Sequence, residues 1–130
     1  MNFAGNLPEE IFKNVVIIPV PLSKNRLKER GFNQSELIGG IISQKLGKPL
    51  SADIILRTKA QKPQSEIKNR EERFLNVKDS FMPAGEKFPV GQTALLIDDV
   101  TTSGATLYEA ALAVKNAGAK KIIALTAARA

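Results

Sequence analysis

LLIDDVTTSGATL, running from Leu95 to Leu107, decides how the rest of the chain is read. Ala94 to Ile97 is a continuous apolar run of the kind found in strands covered on both faces. Two acids, Asp98 and Asp99, end it. A short run of small and hydroxylated residues follows. Leu107, Ala111 and Val114 then recur at helical spacing, which predicts a helix from near Gly104 to about Asn116, closed by Gly118. Strand, acids, small loop and helix in this order place the acids and the loop beyond the carboxyl edge of a sheet. Open α/β sheets bind their ligands there.

The chemistry of that stretch suits an anion attached to a polyol. Backbone N–H groups of Ser103 to Thr106 lie at a helix start, where they lack intrahelical partners and where the helix dipole is positive. Gly104 lets the backbone approach a ligand closely, and Thr102, Ser103 and Thr106 add hydroxyls. Ionised carboxylates only accept hydrogen bonds, so Asp98 and Asp99 match a pair of vicinal hydroxyls such as those of a ribose. They could also bind Mg²⁺, directly or through water. The alternative is a solvated strand end beside a plain helix cap.

Working outward, Val15 to Val20 (VVIIPV) is a second buried strand, ended by Pro19 and Pro21. Leu22 to Phe32 is expected to be a basic loop, with Lys24, Arg26, Lys28 and Arg30 against the single acid Glu29. It is either a solvated turn or a partner for phosphate oxygens, which arginine pairs with in bidentate fashion. A helix is predicted from Gln34 to Leu46. Asn33 and Glu36 form its capping signal, Leu37, Ile38, Ile41, Ile42 and Leu46 its apolar stripe, and Gly47 with Pro49 its stop. Asp53 to Arg57 and Leu75 to Phe81 read as strands, Pro83 to Val90 as a turn-rich connection, and Ile122 to Ala127 as the last strand. Thr58 to Arg73 is highly charged and without clean period, hence a long loop: a lid or a disordered segment. Strands alternating with helices predict an α/β domain with a mainly parallel central sheet.

Composition narrows the chemistry. The sequence has 130 residues, enough for one domain with its own core, expected to span 1–130. It contains neither cysteine nor histidine, which excludes disulfides, thiol nucleophiles, zinc ribbons and imidazole bases within it. A net charge of +6 favours an anionic partner, a phosphorylated small molecule or a nucleic acid. Aromatic residues make up only 5%, which counts against an autonomous single-strand binder built on stacking. No apolar run is long enough to cross a bilayer, Met1 to Gly5 does not open a secretory leader, and a cytoplasmic location is expected.

The Leu95–Leu107 stretch resembles the signature by which type I phosphoribosyltransferases bind 5-phosphoribosyl-1-pyrophosphate (PRPP). PVPLSKNRLKERGFNQSELIG, from Pro19 onward, is similar to the ComF branch of such proteins, most distinctively at Arg26 and in the run from Arg30 to Gln34. Gln64, Arg73, Asn76, Val77 and Phe81 look like the same branch, so the similarity extends from about Val15 to the end. The resemblance implies a type I phosphoribosyltransferase-like fold with a long flexible loop closing over the ligand. It implies that Asp98, Asp99, Arg26 and Arg30 are catalytic, with Mg²⁺ as cofactor on the two acids. It implies that Thr101, Thr102, Ser103, Gly104, Ala105 and Thr106 wrap the 5′-phosphate, and that Leu22, Ser23, Lys24, Arg26 and Arg73 hold pyrophosphate. In some members an aspartate near the base occupies the position of Thr102; here that assistance is missing. Many ComF-like proteins carry a cysteine-rich zinc-binding module at the amino terminus, absent from this sequence. The implied activity is phosphoribosyl transfer from PRPP, or binding of a nucleoside monophosphate. The alternatives are a non-catalytic competence role in the uptake of single-stranded DNA beside other competence proteins, or a PRPP- or nucleotide-sensing regulator. A homodimer is implied as well.

Overall fold

The computed structural model describes residues 9–58, 69, 71–72, 75, 78–101 and 104–129. A 3₁₀ turn, Glu9–Phe12, leads into β1 (Val15–Pro19). Helices α1 (Lys24–Arg30) and α2 (Gln34–Leu46) follow, then β2 (Ile55–Arg57), β3 (Phe81–Pro83), β4 (Thr93–Thr101), α3 (Ala105–Asn116) and β5 (Lys121–Arg129). The central sheet has the order β1-β4-β5, and both pairings are parallel. Leu50 extends its β1 edge by a parallel bridge to Ile17. β2 and β3 form a separate antiparallel pair, with Leu56 opposite Met82 and Arg57 opposite Phe81.

Alternation along the two central strands divides the core into two layers. Val16, Ile18, Ala94 and Leu96 face α3 and the β2–β3 pair, meeting Ile54, Phe81, Ala110 and Val114. Val15, Ile17, Leu95 and Ile97 face the other way, toward Ile38, Ile42 and Leu46 of α2. Strands covered on both faces are apolar at every position, as the sequence predicted. Gly39 is the small residue that lets α2 lie close: a Cβ there would come within 3.2 Å of Leu50 and 3.4 Å of Ile17.

Three expectations are corrected. The segment expected to be a basic loop, Leu22 to Phe32, holds a two-turn helix. Ser23 caps it by accepting from Arg26 N at 3.2 Å, and Gly31, in the left-handed region, donates to Leu27 O at 2.8 Å. Lys, Arg and Leu are good helix formers, and Lys28 and Arg30 lie at the dipole's negative end. The stripe of α2 is narrower than expected. Leu37 and Ile41 are exposed, and Ser35 and Gly39 are buried instead. The strand expected over Leu75 to Phe81 begins only at Phe81, because Lys78 and Asp79 make a turn in which Asp79 has φ 58°. Glu109 of α3 ties down that turn by accepting from Asp79 N at 2.8 Å. Most of the segment predicted as a long loop, residues 59–68, 70 and 73, lies outside the described residues.

Candidate functional site

The carboxyl end of β1 lies beside the middle of β4, joined to it by a hydrogen bond from Val20 N to Ile97 O at 2.8 Å, and β4 runs on past it to Thr101. Beyond Ile97, Asp98 continues the β4 ladder opposite Thr126 instead of leaving the sheet. Its side chain turns inward and is 8% exposed. Asp98 Oδ1 accepts from Ser35 Oγ at 3.2 Å and from Asp99 N at 2.9 Å. Burial pushes the carboxyl up to about 6, against the hydrogen bonds from Asp99 N and Ser35 that favour the ionised form; the charge of Asp99 adds to the rise. Asp98 is therefore a costly anion inside a largely apolar layer, anchored on one edge by the protein itself.

Arg57 is a cation that feels the charge of that acid. It closes β2, with its guanidinium over the ring of its cross-strand partner Phe81 at 4.7 Å from the centroid. Among the described residues its buried Nε has no hydrogen-bond partner. Burial lowers its pKa, Asp98 counteracts this, and Arg26 of α1 lowers it further, so the three charges share one field. A cleft of about 560 Å³ opens beside Arg57. Leu56 and Thr58 of the β2 side line it, together with the β1–α1 turn from Pro21 to Asn25.

Past the acids along the chain comes the start of α3. Gly104 is its N-cap, in the left-handed region at φ 78°, and the side chain that normally caps a helix is missing. Among the described residues, a Cβ on Gly104 would meet nothing within 4 Å. Ala105 is buried and Thr106 half-buried.

The expected site residues divide accordingly. Leu22, Ser23 and Lys24 line the cleft, with the Ser23 hydroxyl also capping α1. Arg26 and Arg30 are exposed on α1, and Asp98 and Asp99 stand at the sheet edge with Thr101 at the end of β4. Gly104 to Thr106 open α3. Thr102, Ser103 and Arg73 lie outside the described residues. Two residues escaped the sequence reading. Arg57 could have been found as a charge at the inward position of an Ile-Leu-Arg strand. Ser35 could have been found as a polar residue on the inward face of α2.

A larger cleft, about 980 Å³, lies at the opposite end of the sheet between Glu10, Gln92, Lys120 and Lys121. It borders the amino ends of the strands, away from the acids. Ligands in open α/β sheets bind at the carboxyl ends, so the smaller cleft is the candidate. Among the described residues no group of three or more ligating side chains could hold a metal, and no helix is long and apolar enough to cross a membrane.

Comparison with known proteins bears on the same elements. The Phosphoribosyl transferase domain family matches residues 33–130. Competence protein ComFC of Bacillus subtilis is 37% identical over 99 residues, covering 76% of this chain and 38% of that protein. Competence protein ComFC of Streptococcus pneumoniae is 34% identical over 122 residues, covering 92% of this chain and 51% of that one. The chain thus spans about half the length, or less, of these curated relatives. Among solved structures, a purine phosphoribosyltransferase from Pyrococcus horikoshii covers 98% of this chain and 75% of its own, with a TM-score of 0.50 at 20% identity, a likeness of fold. The family match runs through α2, the acid-bearing β4 and the glycine-capped α3, and the chain belongs to the phosphoribosyltransferase domain family, in its ComF branch.

Proposed function

We propose that this chain is the sugar-phosphate-binding domain of a competence-type protein, and that residues 1–130 act as one unit in the handling of incoming single-stranded DNA. Its ligand is a 5′-phosphorylated ribosyl compound, PRPP or a nucleoside monophosphate. The observation that carries this is that buried Asp98, its neighbour Asp99 and the Gly104 N-cap of α3 follow one another where β4 runs on past the end of β1. On this reading the acids accept from sugar hydroxyls, and the segment from Thr101 to Thr106 receives the phosphate. The exposed basic helix α1, with Lys24, Arg26, Lys28 and Arg30, adds a sequence-independent attraction for a phosphate backbone. The relatives' names supply the competence context; the chain's own residues carry the proposed phosphate and sugar chemistry.

Phosphoribosyl transfer is the second reading, favoured by Arg57. This residue lines the same cleft as Leu22 to Lys24, and a guanidinium whose Nε has no partner among the described residues is suited to a departing pyrophosphate. In that reaction the bond from the anomeric carbon to pyrophosphate breaks, its electrons leave with pyrophosphate, and a nitrogen of the acceptor bonds to the same carbon. Asp98 and Asp99 would orient the ribose, and Arg57, Lys24 and Arg26 would stabilise the leaving charge. Mg²⁺ fits the donor set in one respect: two adjacent carboxylates are too few for a protein-only cage, and this ion is usually held by one or two carboxylates with ligand phosphates and water. Bound there, it would neutralise phosphate charge.

Thermal denaturation with and without PRPP and Mg²⁺ tests the binding reading. A ligand at 100 times its dissociation constant adds about 2.7 kcal/mol. No stabilisation at millimolar PRPP would refute it. Binding of a labelled oligonucleotide across a salt series tests the DNA role separately.

A further inference from the structure

Ser35 stands at the second position of α2 and is 3% exposed, on a face otherwise made of Ile38, Gly39, Ile42 and Leu46. A hydroxyl in such surroundings costs free energy unless it is bonded. Its Oγ donates to Asp98 Oδ1 at 3.2 Å, across 63 residues of sequence. Its backbone N donates to Asn33 Oδ1 at 3.0 Å. Asn33 Nδ2 donates to Val20 O at 3.1 Å, and Val20 N donates to Ile97 O at 2.8 Å. Ile97 directly precedes Asp98, so these bonds close a ring. It runs from the middle of β4 to the end of β1, through the α1–α2 junction, and back to the carboxylate.

We infer that Ser35 is a positioning residue for the acid pair: with Asn33 it closes a hydrogen-bonded ring that fixes the Asp98 carboxylate against the junction carrying the basic helix α1. The inference deepens the sugar-phosphate reading and rests on it. One carboxylate oxygen held by two donors, Ser35 Oγ and Asp99 N, cannot swing without breaking both bonds. The acid therefore meets the sugar in one orientation. The ring also sets the spacing between the acids, which take hydroxyls, and α1, which offers cations. Of the side chains that shift Asp98, Asp99 carries charge and Ser35 is the neutral donor; Arg57 in turn feels the charge of Asp98.

The test uses two probes on the full chain, ribose 5-phosphate and inorganic phosphate, titrated by calorimetry. Inorganic phosphate reports the anion site alone; the ratio of the two affinities reports the acids. Ser35→Ala is expected to weaken ribose 5-phosphate roughly tenfold, as for one lost hydrogen bond to a charged group. It should leave inorganic phosphate unchanged. Ser35→Thr, which keeps the hydroxyl, should retain the preference for the sugar phosphate. An equal loss for both probes would mean a general structural effect and overturn the inference, as would an unchanged ratio in Ser35→Ala or a Thr variant as impaired as the Ala variant. If the unmodified chain itself shows no preference for ribose 5-phosphate over phosphate, the sugar-binding reading fails and the inference falls with it.

Discussion

Replacing Asp98 by asparagine separates what the acid costs the fold from what it does for the ligand. The carboxyl is 8% exposed and pushed up to about 6 by burial. The ordinary value is 3.8, so the rise amounts to about 2 units, or about 3 kcal/mol at 1.36 kcal/mol per unit. For an acid raised in the folded state, folding takes up a proton between about pH 4 and pH 6. Its contribution favours the fold at low pH, is lost as pH rises through 6, and stays constant above. The substituted amide would not ionise, and its oxygen can still accept from Ser35 Oγ and Asp99 N. Asp98→Asn should therefore be more stable than the parent by up to about 3 kcal/mol at pH 8, with the difference shrinking toward zero near pH 4. Urea denaturation of both proteins across that range measures it, and titrating groups that do not interact with Asp98 cancel in the difference. A difference independent of pH, or a variant less stable at pH 8, would refute the reasoning. The same variant should bind ribose 5-phosphate more weakly at pH 8, the signature of a charge retained for function at the expense of stability.

Three further outcomes follow from named contacts. Arg57→Met keeps an apolar body over Phe81 and removes the charge, so PRPP affinity should fall by about 2 kcal/mol, read by calorimetry, while the fold is retained. Gly104→Ala places a Cβ with no described residue within 4 Å but at φ 78°, so its cost is conformational, about 1–2 kcal/mol in a urea titration. Lys28→Ala with Arg30→Ala removes two exposed cations from α1; if these contact a single strand, the slope of log affinity against log salt should fall by roughly 1.4. An unchanged slope would remove α1 from any nucleic-acid interface.

The parts of the fold set by backbone chemistry were legible in the sequence. Both central strands were plain because parallel strands covered on two faces are apolar at every position, as in Val15 to Ile18 and Ala94 to Ile97. The bounds of α2 were readable because Asn33 and Gly47 act locally, one by capping Ser35 N and the other by its left-handed turn. Side-chain placement was harder. Leu37 and Ile41 looked like core because period alone does not reveal which side of a broad apolar stripe meets the sheet; α2 approaches instead over Ser35 and Gly39. α1 was hidden by its charge, since a helix with no buried residue has no hydrophobic period to read. The acids of the site were visible as adjacent letters, but not that Asp98 turns inward. That depends on Ser35, 63 residues away. Arg57 lies opposite Phe81 across a segment of sequence with no regular pattern, so their contact had no local signal.

The most direct measurement of the central claim is a crystal structure of the chain with ribose 5-phosphate. The account predicts the phosphorus beside the backbone from Gly104 to Thr106, and the sugar hydroxyls within hydrogen-bond distance of Asp98 and Asp99. A phosphate seated in the cleft between Lys120 and Lys121, with the acids turned to the protein alone, would contradict it.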